Sequence, residues 1–195
     1  MDRMTCTYSH AFRPEYKGGF ELVIGNPPYL RIQGLKEAFP ELTVFYEKNY
    51  VSATGNYDIY VLFMERSYSL INKHGVASFI LPHNFMLSEF GEGIRGFLTK
   101  NNGINSILHF TEHLVFEVTT YTCIIKLDKR PNDYVYFKHI NPLKIGEGFN
   151  WDVMKANQLD KDKWNLINTK KKSLFDKLNN QPFTAKKINK KIFTG

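Results

Sequence analysis

VIGNPPYLR, spanning Val23 to Arg31, is the stretch on which the reading of this chain turns. The apolar run that leads into it, Phe20 to Gly25, reads as a buried strand. It stops at Asn26, Pro27, Pro28 and Tyr29. Neither proline can donate to a ladder or continue a helix, so the strand has to end there. In open α/β sheets, ligands bind beyond the carboxyl ends of the strands. NPPY at such an end gathers an amide oxygen, stiffened backbone carbonyls and an aromatic ring in one small space.

That set of groups suits a planar heteroaromatic amine. The exocyclic nitrogen of such a base is a poor nucleophile, because its lone pair is delocalised into the ring. Two acceptors, the Asn26 side-chain oxygen and the Pro27 carbonyl, can each hold one N–H and draw the nitrogen toward a tetrahedral shape. Tyr29 can stack on the ring and hold the base out of its helix. The gain is orientation, with acceptors placed where positive charge develops. Asn-Pro is also a common turn pair, but the full NPPY after an apolar strand is much more specific than a plain turn.

Composition narrows the class. The 195 residues suffice for one domain or a domain plus part of another. A hydrophobic content of 43% with 15% aromatics excludes a disordered chain. Cys6 and Cys123 lie far apart and form no CxxC pair, so free thiols in a reducing cytosol are expected, not a disulfide framework or zinc. The six histidines show no metal-ligand spacing, and no metal is expected. No apolar run approaches the roughly 20 residues that span a bilayer, and MDRMTCTYSHAF lacks the apolar core of a signal peptide. A cytoplasmic protein with no membrane partner is the expectation. The net charge of +7 lies wholly in residues 152–195, which hold eleven lysines and four acids. Such a tail is either a phosphate-binding segment or a solvated linker.

Along the chain, residues 31–56 read as an irregular loop with short helical pieces. Asp58 to Asn72 carries apolar residues on one helical face, and Asn72-Lys73-His74-Gly75 resembles a helix C-cap. Val76–Pro82 reads as a second buried strand, residues 86–102 as a glycine-interrupted helix, and Ser106–Phe110, Tyr121–Leu127 and Tyr134–Ile140 as further strands. The order predicts an α/β fold, part of a Rossmann-like sheet, mostly parallel with a terminal antiparallel pair across the short link from Phe110 to Tyr121.

The sequence also resembles a known family. GGFELVIGNPPYLRIQG (Gly18 to Gly34) matches motif IV of amino-methyltransferases that use S-adenosylmethionine. Similar tetrapeptides occur in enzymes acting on protein glutamine or ribosomal guanine, so the downstream sequence decides. GNYDIYVLFMERSYSLINKHGVASFILPHNFM (Gly55 to Met86) looks like the next two motifs of DNA adenine-N6 methyltransferases of restriction-modification systems, in the TaqI-like gamma order. HLVFEVTTYTCIIKL (His113 to Leu127) continues the match. The resemblance covers roughly residues 12–130. It implies that residues 1–130 are the C-terminal half of a catalytic domain, and that 131–195 are a linker and the start of a target-recognition domain. It further implies S-adenosylmethionine as donor, duplex DNA as partner, and an upstream polypeptide or restriction-system subunits as further partners. Carried over by position, Asn26, Pro27, Pro28 and Tyr29 hold the flipped adenine. Phe116 packs the base from its other side. Phe63 and Asn26 border the cofactor, and Asp58 is the polar residue opening the helix, where an N-cap role is the simpler one.

The family's glycine-rich turn and strand-end acid would both precede NPPY, and 25 residues are too few to hold them. The chain alone is therefore expected to lack a complete cofactor site. GEGIRG (Gly91 to Gly96) fits GxGxxG literally but does not leave a strand directly, so it reads as a surface helix or turn. The rival reading is a non-catalytic DNA-binding or assembly module that keeps the methyltransferase fold.

Overall fold

The structure, a computed structural model, describes residues 18–110, 115 and 121–166. The chain divides into two units, residues 1–164 and 165–195, and all elements described below belong to the first. The strands are β1 (Phe20–Gly25), β2 (Ile71–Pro82), β3 (Ile104–His109), β4 (Thr122–Asp128), β5 (Tyr134–His139) and β6 (Asp152–Lys155). They form one sheet in the order β1-β2-β4-β3-β5-β6. The helices are α1 (Ile32–Ala38), α2 (Pro40–Asn49), α3 (Tyr60–Leu70) and α4 (Glu92–Lys100).

The expectation of a mostly parallel sheet is overturned. Only β1–β2 and β3–β5 pair in parallel, whereas β2–β4, β3–β4 and β5–β6 are antiparallel, so the sheet is mixed. The cause is the position of β4. The link from β3 is too short for a crossover helix, so β4 returns antiparallel. It does so between β2 and β3 rather than at an edge, which replaces one parallel contact by two antiparallel ones. β1, β2, β3 and β5 still run in one direction, and their carboxyl ends share one edge of the sheet.

One face of the sheet is core. Ala77, Phe79 and Leu81 of β2 lie opposite Leu127, Ile125 and Cys123 of β4, and all six are buried. Ile107 of β3 and Phe137 of β5 extend that layer. Helix α3 packs on β2 and α4, burying Tyr60, Val61, Leu62 and Met64. The Gly103 backbone lies so close to the Tyr68 ring that a Cβ there would collide with it. The other face runs from Ile24 through Ser78, Lys126, Ser106 and Tyr136 to Val153 and is half-exposed or exposed.

Three local expectations change. β1 is not a buried strand: among the described residues it pairs only with β2, and Leu22 and Ile24 are 58% and 73% exposed. A short apolar run does not reveal whether both of its flanks are covered. Asn72 to Gly75 is not a helix cap, because α3 ends at Leu70 and β2 starts at Ile71. Gly75 is needed for proximity instead, since a side chain there would strike the Phe20 carbonyl of β1. Residues 31–56 are more regular than a loop, with Pro40 opening α2 at a position where its missing N–H costs nothing.

An edge with two exposed apolar side chains invites pairing with another edge. We expect the purified chain to self-associate, and Leu22→Lys with Ile24→Lys to shift it toward monomer in sedimentation velocity. Unfolding free energy should change by no more than about 0.5 kcal/mol, as is usual at exposed positions. Unaltered sedimentation of the double variant would exclude this edge as the contact.

Candidate functional site

Asn26 to Tyr29 leave β1 at the carboxyl edge, as the two prolines require. Pro27 is buried, Asn26 and Pro28 are exposed and Tyr29 is half-buried. Among the described residues the Asn26 amide makes no hydrogen bond, so its acceptor is available. Tyr29 is fixed: its hydroxyl donates to the Ile80 carbonyl of β2 at 3.4 Å, and its ring meets Tyr60 edge-on at 6.5 Å. Burial first, and the neighbouring Cys123 second, push the Tyr29 phenol up to about 12, so it stays protonated and can keep donating.

Beyond NPPY the chain is clasped to the start of α3. Arg31 and Asp58 form an isolated antiparallel bridge. The Ile59 amide donates to the Leu30 carbonyl at 2.8 Å, and the Ile32 amide to the Tyr57 carbonyl at 3.0 Å. The Asp58 carboxylate does not cap α3, whose N-cap is Ile59 without a side-chain bond. It lies 4.0 Å from the Arg31 guanidinium instead. Burial raises the Asp58 carboxyl above its usual range, and Arg31 opposes that. Phe63 is one turn into α3 and 44% exposed, so it is not a core phenylalanine. Tyr60, three residues earlier, is the core aromatic, in contact with Tyr29, Phe85 and Phe90. Phe116 lies outside the described residues.

Two buried charges that sequence reasoning passed over hold this region. The Glu65 carboxylate accepts from the backbone amides of Val51 at 3.1 Å and Ser52 at 2.8 Å, tying the loop after α2 to α3. That loop leads into the Tyr57–Ile59 clasp. Its signal was an acid on the apolar face of the helix, four residues after Val61. The Arg95 guanidinium of α4 donates to the carbonyls of Phe85 at 2.5 Å, Ser88 at 2.8 Å and Lys161 at 2.9 Å. Nothing local in the sequence announces this, since Lys161 is 66 residues away.

GEGIRG forms no phosphate loop. Gly93 and Gly96 lie inside α4, on a cavity of about 880 Å³ lined also by Val51, Thr54, Phe90 and Phe97. A Cβ on Gly93 would collide with the Val51 carbonyl, so its role is close packing of the loop that Glu65 holds. The rim acids Glu92 and Glu89 pair with Lys161 at 2.9 Å and Lys163 at 2.7 Å. No group of three or more His, Cys, Asp or Glu side chains that could hold a metal ion occurs among the described residues, and no helix of theirs is long and apolar enough to cross a membrane.

Comparison with known proteins gives a consistent set of relatives. The model of the Eco57I restriction-modification methylase family matches residues 3–116. The type II restriction enzyme and methyltransferase RM.Eco57I of Escherichia coli is 31% identical over 172 residues, 81% of this chain and 17% of that protein. The type II methyltransferase M.BstVI of Geobacillus stearothermophilus is 32% identical over 116 residues, 58% of this chain and 20% of that protein. This chain thus spans about a fifth or less of the length of these curated relatives. A nuclease-deletion mutant of the type ISP restriction-modification enzyme LlaGI, in complex with a DNA substrate mimic, shares the fold. Its TM-score is 0.52 at 20% identity, over 78% of this chain and 18% of that one.

The geometry makes Glu65 the residue on which the loop before the clasp depends. Glu65→Ala would leave the buried Ser52 amide and the partly exposed Val51 amide without their acceptor, at about 1–3 kcal/mol for a group fully stranded. We expect urea unfolding to show a loss of about 2–4 kcal/mol on that scale, and Glu65→Gln, which keeps one oxygen acceptor, to lose less. A loss below about 0.5 kcal/mol for the alanine variant, the level of an ordinary surface change, would show that the loop is held elsewhere.

Proposed function

We propose, for a chain that belongs to the Eco57I restriction-modification methylase family, that it is the base-holding part of a DNA adenine-N6 methyltransferase of the gamma order. The observation that carries this is the state of NPPY at the carboxyl edge. Tyr29 is anchored, Pro27 is buried and stiff, and the Asn26 amide is exposed with no competing partner among the described residues. In the proposed reaction an adenine is turned out of duplex DNA against the Tyr29 ring. The Asn26 oxygen and the Pro27 carbonyl each take one N–H of the exocyclic amine, which exposes the nitrogen lone pair in a fixed direction. Both acceptors remain in place as positive charge develops on the nitrogen, and solvent water takes the proton it then releases. The Tyr29 hydroxyl, bonded to Ile80, holds the ring and takes no part in proton transfer.

S-adenosylmethionine, the donor this family uses, would supply the methyl group. The residue offered for one wall of its site is Phe63, whose ring is exposed on α3 and free to pack against a ligand. No glycine turn leaving a strand beside a strand-end carboxylate occurs among the described residues, so a complete site requires residues beyond these. That incompleteness is the specific support for the second reading, a DNA-binding or assembly module that keeps the fold without methylating. In the first reading, residues 131–195 lead toward a target-recognition domain, and their lysine excess meets DNA phosphates.

Two experiments test the proposal. In the complete enzyme, Asn26→Ala should lower methyl transfer by about 10²–10³, the usual effect of removing one preorganised partner. DNA affinity should change little, because phosphate contacts supply most of it. Near-normal turnover would contradict the assigned role. Calorimetric titration of the purified chain with S-adenosylmethionine should show millimolar binding or none. Two missing charge-assisted hydrogen bonds remove about 3–6 kcal/mol. Micromolar binding with turnover on adenine-containing duplex would mean that the cofactor site is complete here.

A further inference from the structure

Three histidines that the proposed chemistry does not use meet at the same carboxyl edge. His83 follows the end of β2, His109 ends β3 and His139 ends β5. The His83 and His109 rings are 4.6 Å apart between centroids, and the His109 and His139 rings 5.0 Å, both edge-to-face. One outer ring and the strand end beside the other are tied to backbone. His83 Nδ1 donates to the Tyr121 carbonyl at 3.0 Å, and the amide next to His139, that of Ile140, donates to the His109 carbonyl at 3.0 Å. The central ring is the unusual one. His109 is 8% exposed, and its Nδ1 is buried with no hydrogen-bond partner.

We propose that the His83–His109–His139 stack is a proton-sensitive joint: neutral, it binds the ends of β2, β3 and β5 into one edge, and protonated, it loosens them. The inference rests on packing and charge and stands apart from the methyltransferase reading. Among the described residues, the neighbours of His109 offer a proton no compensating negative charge. From β4 it faces Cys123, whose thiol burial pushes up and keeps neutral. From the end of β2 it faces His83, and from β5 His139. Its own strand, Ile104–His109, contains no other titratable residue. The carboxylate of Asp152 on β6 is 3.4 Å from the Lys138 ammonium of β5. Desolvation first, then His83 and His139, push His109 down to about 4. Desolvation also lowers His83, against its bond to Tyr121.

The sign follows from linkage. The unfolded chain binds a proton at its free imidazole near 6.5 and the folded one only near 4, so folding stability is full above about 6.5 and falls as pH drops toward 4. Between pH 7.5 and pH 5, His109 alone should lower the folding equilibrium constant about 30-fold. The test is urea unfolding of the purified chain at those two pH values, with ring-proton NMR of the histidines at pH 5. We expect a neutral His109 ring at pH 5, and a fall in the folding constant that is about 30-fold smaller in His109→Phe. His109→Asn serves as a second variant, and the wild-type ring titration decides if neither variant folds. A His109 ring titrating at 6 or above, or variants with the full pH dependence of the parent, would overturn the proposal.

Discussion

The reversal of β4 between β2 and β3 is the constraint on which the rest of the fold depends. A single short link sends the chain back through the middle of the sheet. That strand supplies a buried row (Cys123, Ile125 and Leu127) which both neighbours use at once. The four co-directional strands are therefore joined through an opposing one, yet their carboxyl ends still reach a common edge. NPPY, the Tyr29 anchor and the three imidazoles all sit along that edge because the strands end there together.

Much of the candidate site was legible because it is local. Two prolines force a strand to stop, and the residues at the stop are those the proposed chemistry would use. Phe63 was legible as a position but not as an environment, since its exposure depends on what α3 covers. The sheet was less legible. The sequence order of strands and helices implies parallel neighbours, but nothing in Thr122–Asp128 says that this strand inserts centrally. β6, with the four residues Asp152 to Lys155, is too short and too polar to stand out. The exposed flank of β1 was expected from reading the chain as half of a catalytic domain, though the strand's composition does not show it, since an apolar central strand would look the same.

The buried polar groups explain why the loop before α3, the segment before α4 and the turn after β4 can be regular without being apolar. Asp128, fully buried, receives bonds from Asn105 at 3.0 Å, Asn132 at 2.7 Å and Arg130 at 2.7 Å, closing the turn between β4 and β5. Glu65 does the same for two amides and Arg95 for three carbonyls. Each such carboxylate or guanidinium would be costly to bury alone, and each is matched to backbone or side-chain groups that would otherwise be stranded. The partners come from distant parts of the sequence in two of the three cases, which is why composition gave no hint of them.

The Arg95 contact to Lys161 bears on synthesis. At 2% and 3% exposure, neither the arginine nor the indole of Trp164, whose ring packs on Phe85 and whose amide bonds to Met86, can reach its final state until residues 161–164 have left the ribosome. A nascent chain that has completed all six strands still carries an uncapped Phe85 and a guanidinium short of one acceptor. Domains tend to fold as units while translation proceeds. Among the described residues, the segment that completes the surroundings of Phe85 and Arg95 is short and lies outside the sheet.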